Sequence, residues 1–149
     1  MDQKINPLSI LIADDDEDDY LLILEALKEA GMDDTAVHWV KDGIETLEYL
    51  TSRLNGNNGS SGQLPRVILL DLNMPRKDGR EVLEEIKSHP SFRKIPVIIM
   101  TTSSADTDVT KSYDLGVNSF IQKPDRFQDL VETVQTVFHY WLHTVKLPG

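Results

Sequence analysis

The stretch Val67-Ile-Leu-Leu-Asp71-Leu-Asn73-Met-Pro75-Arg-Lys-Asp78-Gly79 decides how this chain folds. Arg66 to Leu70 is a short run of mostly branched apolar residues without alternation, the pattern of a strand buried on both faces of a parallel sheet. It stops at Asp71, and Asn73, Pro75, Asp78 and Gly79 keep it from continuing as strand or helix. A carboxylate in that place points into the crevice where open α/β sheets put their chemistry. Taken alone, Asp71 could do no more than cap the turn behind it. Three other segments deliver matching groups to strand ends, and they change that reading.

Upstream, Leu8 to Ala13 reads as a first buried strand, with Asp14 and Asp15 at its tip. A helix follows from about Asp18 to Ala30, closed by Gly31. Within the acidic run, Asp16, Asp18 and Asp19 are expected to cap that helix and offset its dipole. Asp14 and Asp15 sit too early for this and are expected to hold a hard metal ion. Ala36 to Val40 is a second strand, and a helix from about Asp42 to Leu54 presents Ile44, Leu47 and Leu50 on one face. Residues 55–62 read as a flexible, glycine-rich surface loop.

Downstream, a helix is expected from about Gly79 to Ser88, with Val82, Leu83 and Ile86 facing inward. Pro96 to Met100 is a fourth strand that ends in Thr101, and a weaker helix runs from about Asp106 to Leu115. Asn118 to Ile121 is a fifth strand, closed by Gln122, Lys123 and Pro124. A long last helix starts near Arg126, carries Leu130, Val134, Val137, Phe138 and Trp141 at helical spacing, and ends before Pro148. Strand and helix alternate five times, which predicts a doubly wound α/β domain with helices on both faces of a five-stranded parallel sheet.

Composition narrows the function. The 149 residues contain no cysteine, which excludes disulfides, thiol catalysis and cysteine-ligated zinc. A net charge of -10 argues against nucleic-acid binding, which needs a basic face. No apolar run approaches the roughly 20 residues of a membrane span or has the form of a signal peptide, so a soluble, cytoplasmic protein without membrane contact is expected.

Asp14, Asp15, Asp71, Thr101 and Lys123 thus fall at the carboxyl ends of four strands, which meet at one crevice. Three carboxylates and one lysine need a cation to coexist, and oxygen ligands of this kind select Mg²⁺ shared with a phosphate. A carboxylate beside that ion can attack phosphorus and form an aspartyl phosphate. Metal and ammonium then balance the phosphoryl oxygens, and a threonine hydroxyl donates to one more.

At these residues the chain resembles the receiver domain of two-component response regulators. The resemblance rests on Ile12-Ala-Asp14-Asp15, Leu69-Leu-Asp71-Leu-Asn-Met-Pro75, Asp78-Gly79, Ile99-Met-Thr101 and Phe120-Ile-Gln-Lys123-Pro124, in order and each behind a strand. It implies a flavodoxin-like sheet of order 2-1-3-4-5 with five helices. It also implies that Asp71 accepts a phosphoryl group from a histidine kinase, in a reaction the domain promotes only on itself. Asp15 and Asp71 would ligate Mg²⁺ through carboxylates, Asn73 through its backbone carbonyl, and Asp14 largely through water. Thr101 and Phe120 match the switch pair, with Phe120 where tyrosine is common, and the family implies a cis bond before Pro124.

A narrower similarity links Asp78-Gly79-Arg-Glu-Val-Leu83, Met100-Thr-Thr-Ser103, the glycine-rich loop and the ending Tyr140 to Pro148 with single-domain regulators of bacterial and cyanobacterial phytochromes. Residues 1–7 would then be a tail and 8–149 one receiver domain with an extended final helix, a C-terminal tail and no output domain. The signal would leave by contact with an unidentified downstream protein. The alternative is a phosphate shuttle or sink in a multistep relay with another kinase. A phosphatase of the haloacid dehalogenase-like class is excluded by motif order, since its nucleophile follows the first strand.

The last helix carries more apolar residues than one core-facing stripe needs. A homodimer through Trp141, Leu142 and Val145 is therefore expected. The competing arrangement folds Trp141 and Leu142 back onto Leu21 and Leu24 of the first helix, leaving a monomer.

Overall fold

The computed structural model describes residues 9–32, 36–55, 64–103 and 105–141. Each buried apolar run becomes a strand and each amphipathic run a helix: β1 (Ile10–Ala13), α1 (Glu17–Glu29), β2 (Val37–Val40), α2 (Gly43–Asn55), β3 (Val67–Leu70), α3 (Gly79–Ser88), β4 (Val97–Thr101), α4 (Asp106–Leu115), β5 (Ser119–Gln122) and α5 (Phe127–His139). The strands form one parallel sheet in the order β2-β1-β3-β4-β5, as the resemblance to receiver domains implies. Boundaries differ from the sequence reading by one or two residues at several ends.

The side-chain alternation of a strand sends successive residues to opposite faces. Leu11, Ile68 and Ile99 join the core under α2 and α3, together with Leu50, Val82, Leu83 and Ile86. Ile10, Ile12 and Leu69 join the core under α1 and α5, with Ile23, Leu27, Val134 and Phe138. β1, β3 and β4 are buried along their whole length, so none shows a polar alternation. β5 lies at the sheet edge and is only partly covered.

Local signals set where the helices begin and end. Asp16 accepts from the backbone N–H groups of Asp18 and Asp19 and caps α1, and Gly31 takes the left-handed conformation (φ 97°) just past its end. Asp78 and Glu81 form a capping box at the start of α3. The turn between β3 and α3 contains Arg76 at φ 65°, and its guanidinium holds Asp42 at 2.9 and 3.3 Å. That pair ties the turn to the start of α2.

The expected N-terminal tail (1–7) and most of the glycine-rich loop (55–62) lie outside the described residues, as do Leu142 and Val145. Trp141 is half-buried against the core under α1 and α5, and Leu21, which the competing monomer arrangement would cover, stays exposed.

Candidate functional site

The parallel register brings the tips of β1, β3, β4 and β5 to one edge, and the backbone ties them together. Asp71 N–H donates to Ala13 O at 2.9 Å, Asp14 N–H to Val40 O at 3.1 Å, and Lys123 N–H to Thr101 O at 2.7 Å. The five residues expected at the crevice therefore come from neighbouring chain ends.

Asp14, Asp15 and Asp71 each offer a carboxylate oxygen within 4.8 Å of the others, with Asp14 and Asp71 buried and Asp15 exposed. This all-oxygen set, open to solvent on one side, fits a hard divalent cation that keeps part of its water shell. Asp71 accepts from the Asn73 N–H at 3.1 Å through Oδ1, and from Lys123 Nζ at 3.1 Å through Oδ2. Lys123 Nζ also lies 2.9 Å from Asp14 Oδ2.

Thr101 is fully buried, and its Oγ1 accepts from the side-chain amide of Asn73 at 3.2 Å. Phe120 is half-buried against the core under α2 and α3, beside Ile99 in the β4–β5 register. Its backbone N–H donates to the phenolic oxygen of Tyr113 at 3.1 Å. Thr101 and Phe120 thus lie on adjacent strands, and α4 supplies a phenol beside Phe120.

Two features correct the sequence reading. Asp19 does more than line the first turn of α1: its Oδ2 pairs with Lys123 Nζ at 2.8 Å. No peptide bond among the described residues is cis, so Lys123–Pro124 is trans. Trans is the ground state for all but about 5–6% of such bonds, and Lys123 reaches three carboxylates from it.

Trp39 is a further residue that sequence reasoning missed. Its Nε1–H donates to the Asp14 carbonyl oxygen at 2.8 Å, and its ring stacks on Tyr20 with centroids 4.4 Å apart. The contact pins the backbone beneath the acidic pair. A tryptophan in a short strand gives no such signal by itself.

Burial pushes the Asp14 carboxyl up to about 6, against the hydrogen bond and charge of Lys123, and the nearby Asp71 charge adds to the rise. For Lys123, burial works to lower the ammonium's pKa, but hydrogen bonds to Asp19 and Asp14 outweigh it and raise it. The sign for Asp14 follows from linkage. A raised carboxyl pKa favours the folded state most below the ordinary value of 3.8, and that contribution is lost as pH rises through about 6. A divalent ion needs the ionised form and displaces the proton. Its affinity should therefore fall by about tenfold from pH 7.5 to pH 5. Calorimetric titration across that range checks this, and a flat profile contradicts it.

This fold, with an acidic cluster, a threonine and a lysine on the carboxyl edge of the sheet, is that of a receiver. The response regulator receiver domain family matches residues 10–135, and the chain belongs to that family. Among its relatives is response regulator Rcp1 of Synechocystis sp., 40% identical over 148 residues and covering 99% of this chain and 98% of the relative. "Probable methanogenesis regulatory protein FilR2" of Methanothrix harundinacea is 40% identical over 144 residues, covering 97% and 90%. The crystal structure of the phosphorylated cyanobacterial phytochrome response regulator RcpA superposes with a TM-score of 0.84 at 40% identity, covering 97% of this chain and all (100%) of that one. No helix among the described residues is long and apolar enough to cross a membrane.

Proposed function

We propose that Asp71 is the phosphoacceptor of this response regulator and takes its phosphoryl group from a phytochrome-type histidine kinase. The observation that carries the chemistry is the meeting of Asp14, Asp15 and Asp71 at the sheet edge, with carboxylate oxygens within 4.8 Å of one another, beside Lys123, which pairs with Asp14 and Asp71 at 2.9 and 3.1 Å. An oxygen of Asp71 attacks phosphorus, the bond from phosphorus to the kinase imidazole nitrogen breaks, and that nitrogen keeps the electron pair. Mg²⁺ held by Asp14, Asp15, Asp71 and the Asn73 backbone carbonyl would supply positive charge for the phosphoryl oxygens. Lys123 stabilises the same charge from the other side. Thr101 gives up its Asn73 partner and donates to a phosphoryl oxygen, and Phe120 turns inward on the adjacent strand.

The kinase class is inferred from the likeness to Rcp1 and RcpA, the latter described as a phytochrome response regulator. Phosphotransfer tests it. A phosphorylated phytochrome-type kinase should pass label to this chain within minutes in Mg²⁺, and a chelator should stop the transfer. Uptake from an unrelated kinase alone would overturn the partner class. No uptake from any kinase or from a small acyl phosphate would overturn the site.

A further inference from the structure

Lys123 has three N–H donors, and the structure gives each a carboxylate: Asp19 Oδ2 at 2.8 Å, Asp14 Oδ2 at 2.9 Å and Asp71 Oδ2 at 3.1 Å. Asp14 and Asp71 also belong to the set of oxygens that fits a divalent ion, and Asp19 does not. Ammonium and ion therefore compete for two carboxylates, while the third serves the ammonium alone. Asp19 is well placed for that service. It stands in the first turn of α1, its backbone N–H held by Asp16, and its side chain is largely covered.

We propose that Asp19 is a positioning residue for Lys123, holding the ammonium at the rim of the site so that a divalent ion can claim Asp14 and Asp71. This rests on the reading of the acidic cluster as a Mg²⁺ site. With Asp19 neutralised, one N–H loses its best acceptor and the ammonium leans harder on the two carboxylates the ion requires. Once a phosphoryl group stands on Asp71, the Asp19 contact keeps the lysine head in place while a second donor turns to a phosphoryl oxygen. The competing explanation is that Asp19 only stabilises the positive end of the α1 dipole. That role would change helix stability and would not depend on Lys123.

A double-mutant cycle read by calorimetric titration with MgCl₂ separates these. Asp19→Asn should weaken Mg²⁺ binding about three- to tenfold in the parent, and less than about twofold when Lys123→Met is already present. Lys123→Gln replaces the methionine variant if that one does not fold, and far-ultraviolet circular dichroism verifies each. An equal loss in both backgrounds means that Asp19 acts through its own charge on the ion, and it overturns the proposal. An unchanged affinity in Asp19→Asn also overturns it, leaving the Mg²⁺ site intact. A parent that binds no Mg²⁺ brings down the site reading as well.

Discussion

Asp71→Asn should take up no phosphoryl label from acetyl phosphate in Mg²⁺, with a loss of at least about a hundredfold in rate against the parent. The amide oxygen is a poor nucleophile towards phosphorus, and the other carboxylates have different work. Asp14 pairs with Lys123 at 2.9 Å, and Asp19 with the same ammonium at 2.8 Å. The fold should survive the change. The amide oxygen can still accept from the Asn73 N–H, and Lys123 keeps its other two partners. One negative charge also leaves a crowded acidic cluster, so stability should stay within about 1 kcal/mol of the parent. Thermal melts beside the labelling assay separate lost chemistry from lost fold. Label appearing at the parental rate and at the same site would remove Asp71 from the mechanism.

The second large effect is expected at a residue without a side chain, Gly79. A Cβ there would stand 2.2 Å from the Asp71 carbonyl oxygen and 2.6 Å from Leu72 Cα. Both neighbours are backbone, so neither can swing aside as a side chain would. The Gly79 N–H also donates to Leu72 O at 2.9 Å, which fixes the start of α3 under the turn. Gly79→Ala must push the turn away from the helix, and the displacement falls on the Asp71 peptide. We expect a loss of about 1–3 kcal/mol, read as a melting point lower by several degrees. Labelling of the remaining folded protein should slow by about tenfold or more, because small errors at a reacting centre are costly. A variant with parental melting and labelling would show that the turn yields freely.

Much of the fold was legible because it rests on local pattern. β1, β3 and β4 are buried from end to end, and a short continuous apolar run is how such strands look in sequence. The start of α1 was legible through Asp16, whose side chain accepts from the backbone two and three residues on. The weak signal over α4 was also informative. Ser112 is the one residue of that helix buried in the structure, so it has little apolar face to display. The site could be read for a related reason. In a parallel sheet, whatever follows each strand reaches the same edge, so Asp14, Asp15, Asp71, Thr101 and Lys123 were already gathered once the strands were known.

What sequence could not supply was the choice of partner across long separations. Asp19 looks like any acid in a helix's first turn, and the preference for that place is the same whether the carboxylate faces water or a lysine 104 residues away. The only hint is excess: Asp16 alone caps α1, yet three more acids follow it directly. Trp39 and the Asp14 carbonyl meet across 25 residues because β1 and β2 lie side by side, which no periodicity encodes. The peptide before Pro124 was read through the family's habit and is trans here, since isomer choice depends on the packing around one bond. The sequence by itself determined the sheet, its burial and which strand ends carry chemistry, because those follow from hydrophobic period and chain order. Only the tertiary structure decided how the single ammonium of Lys123 is shared among Asp14, Asp19 and Asp71, because that depends on side-chain reach between elements distant in the chain.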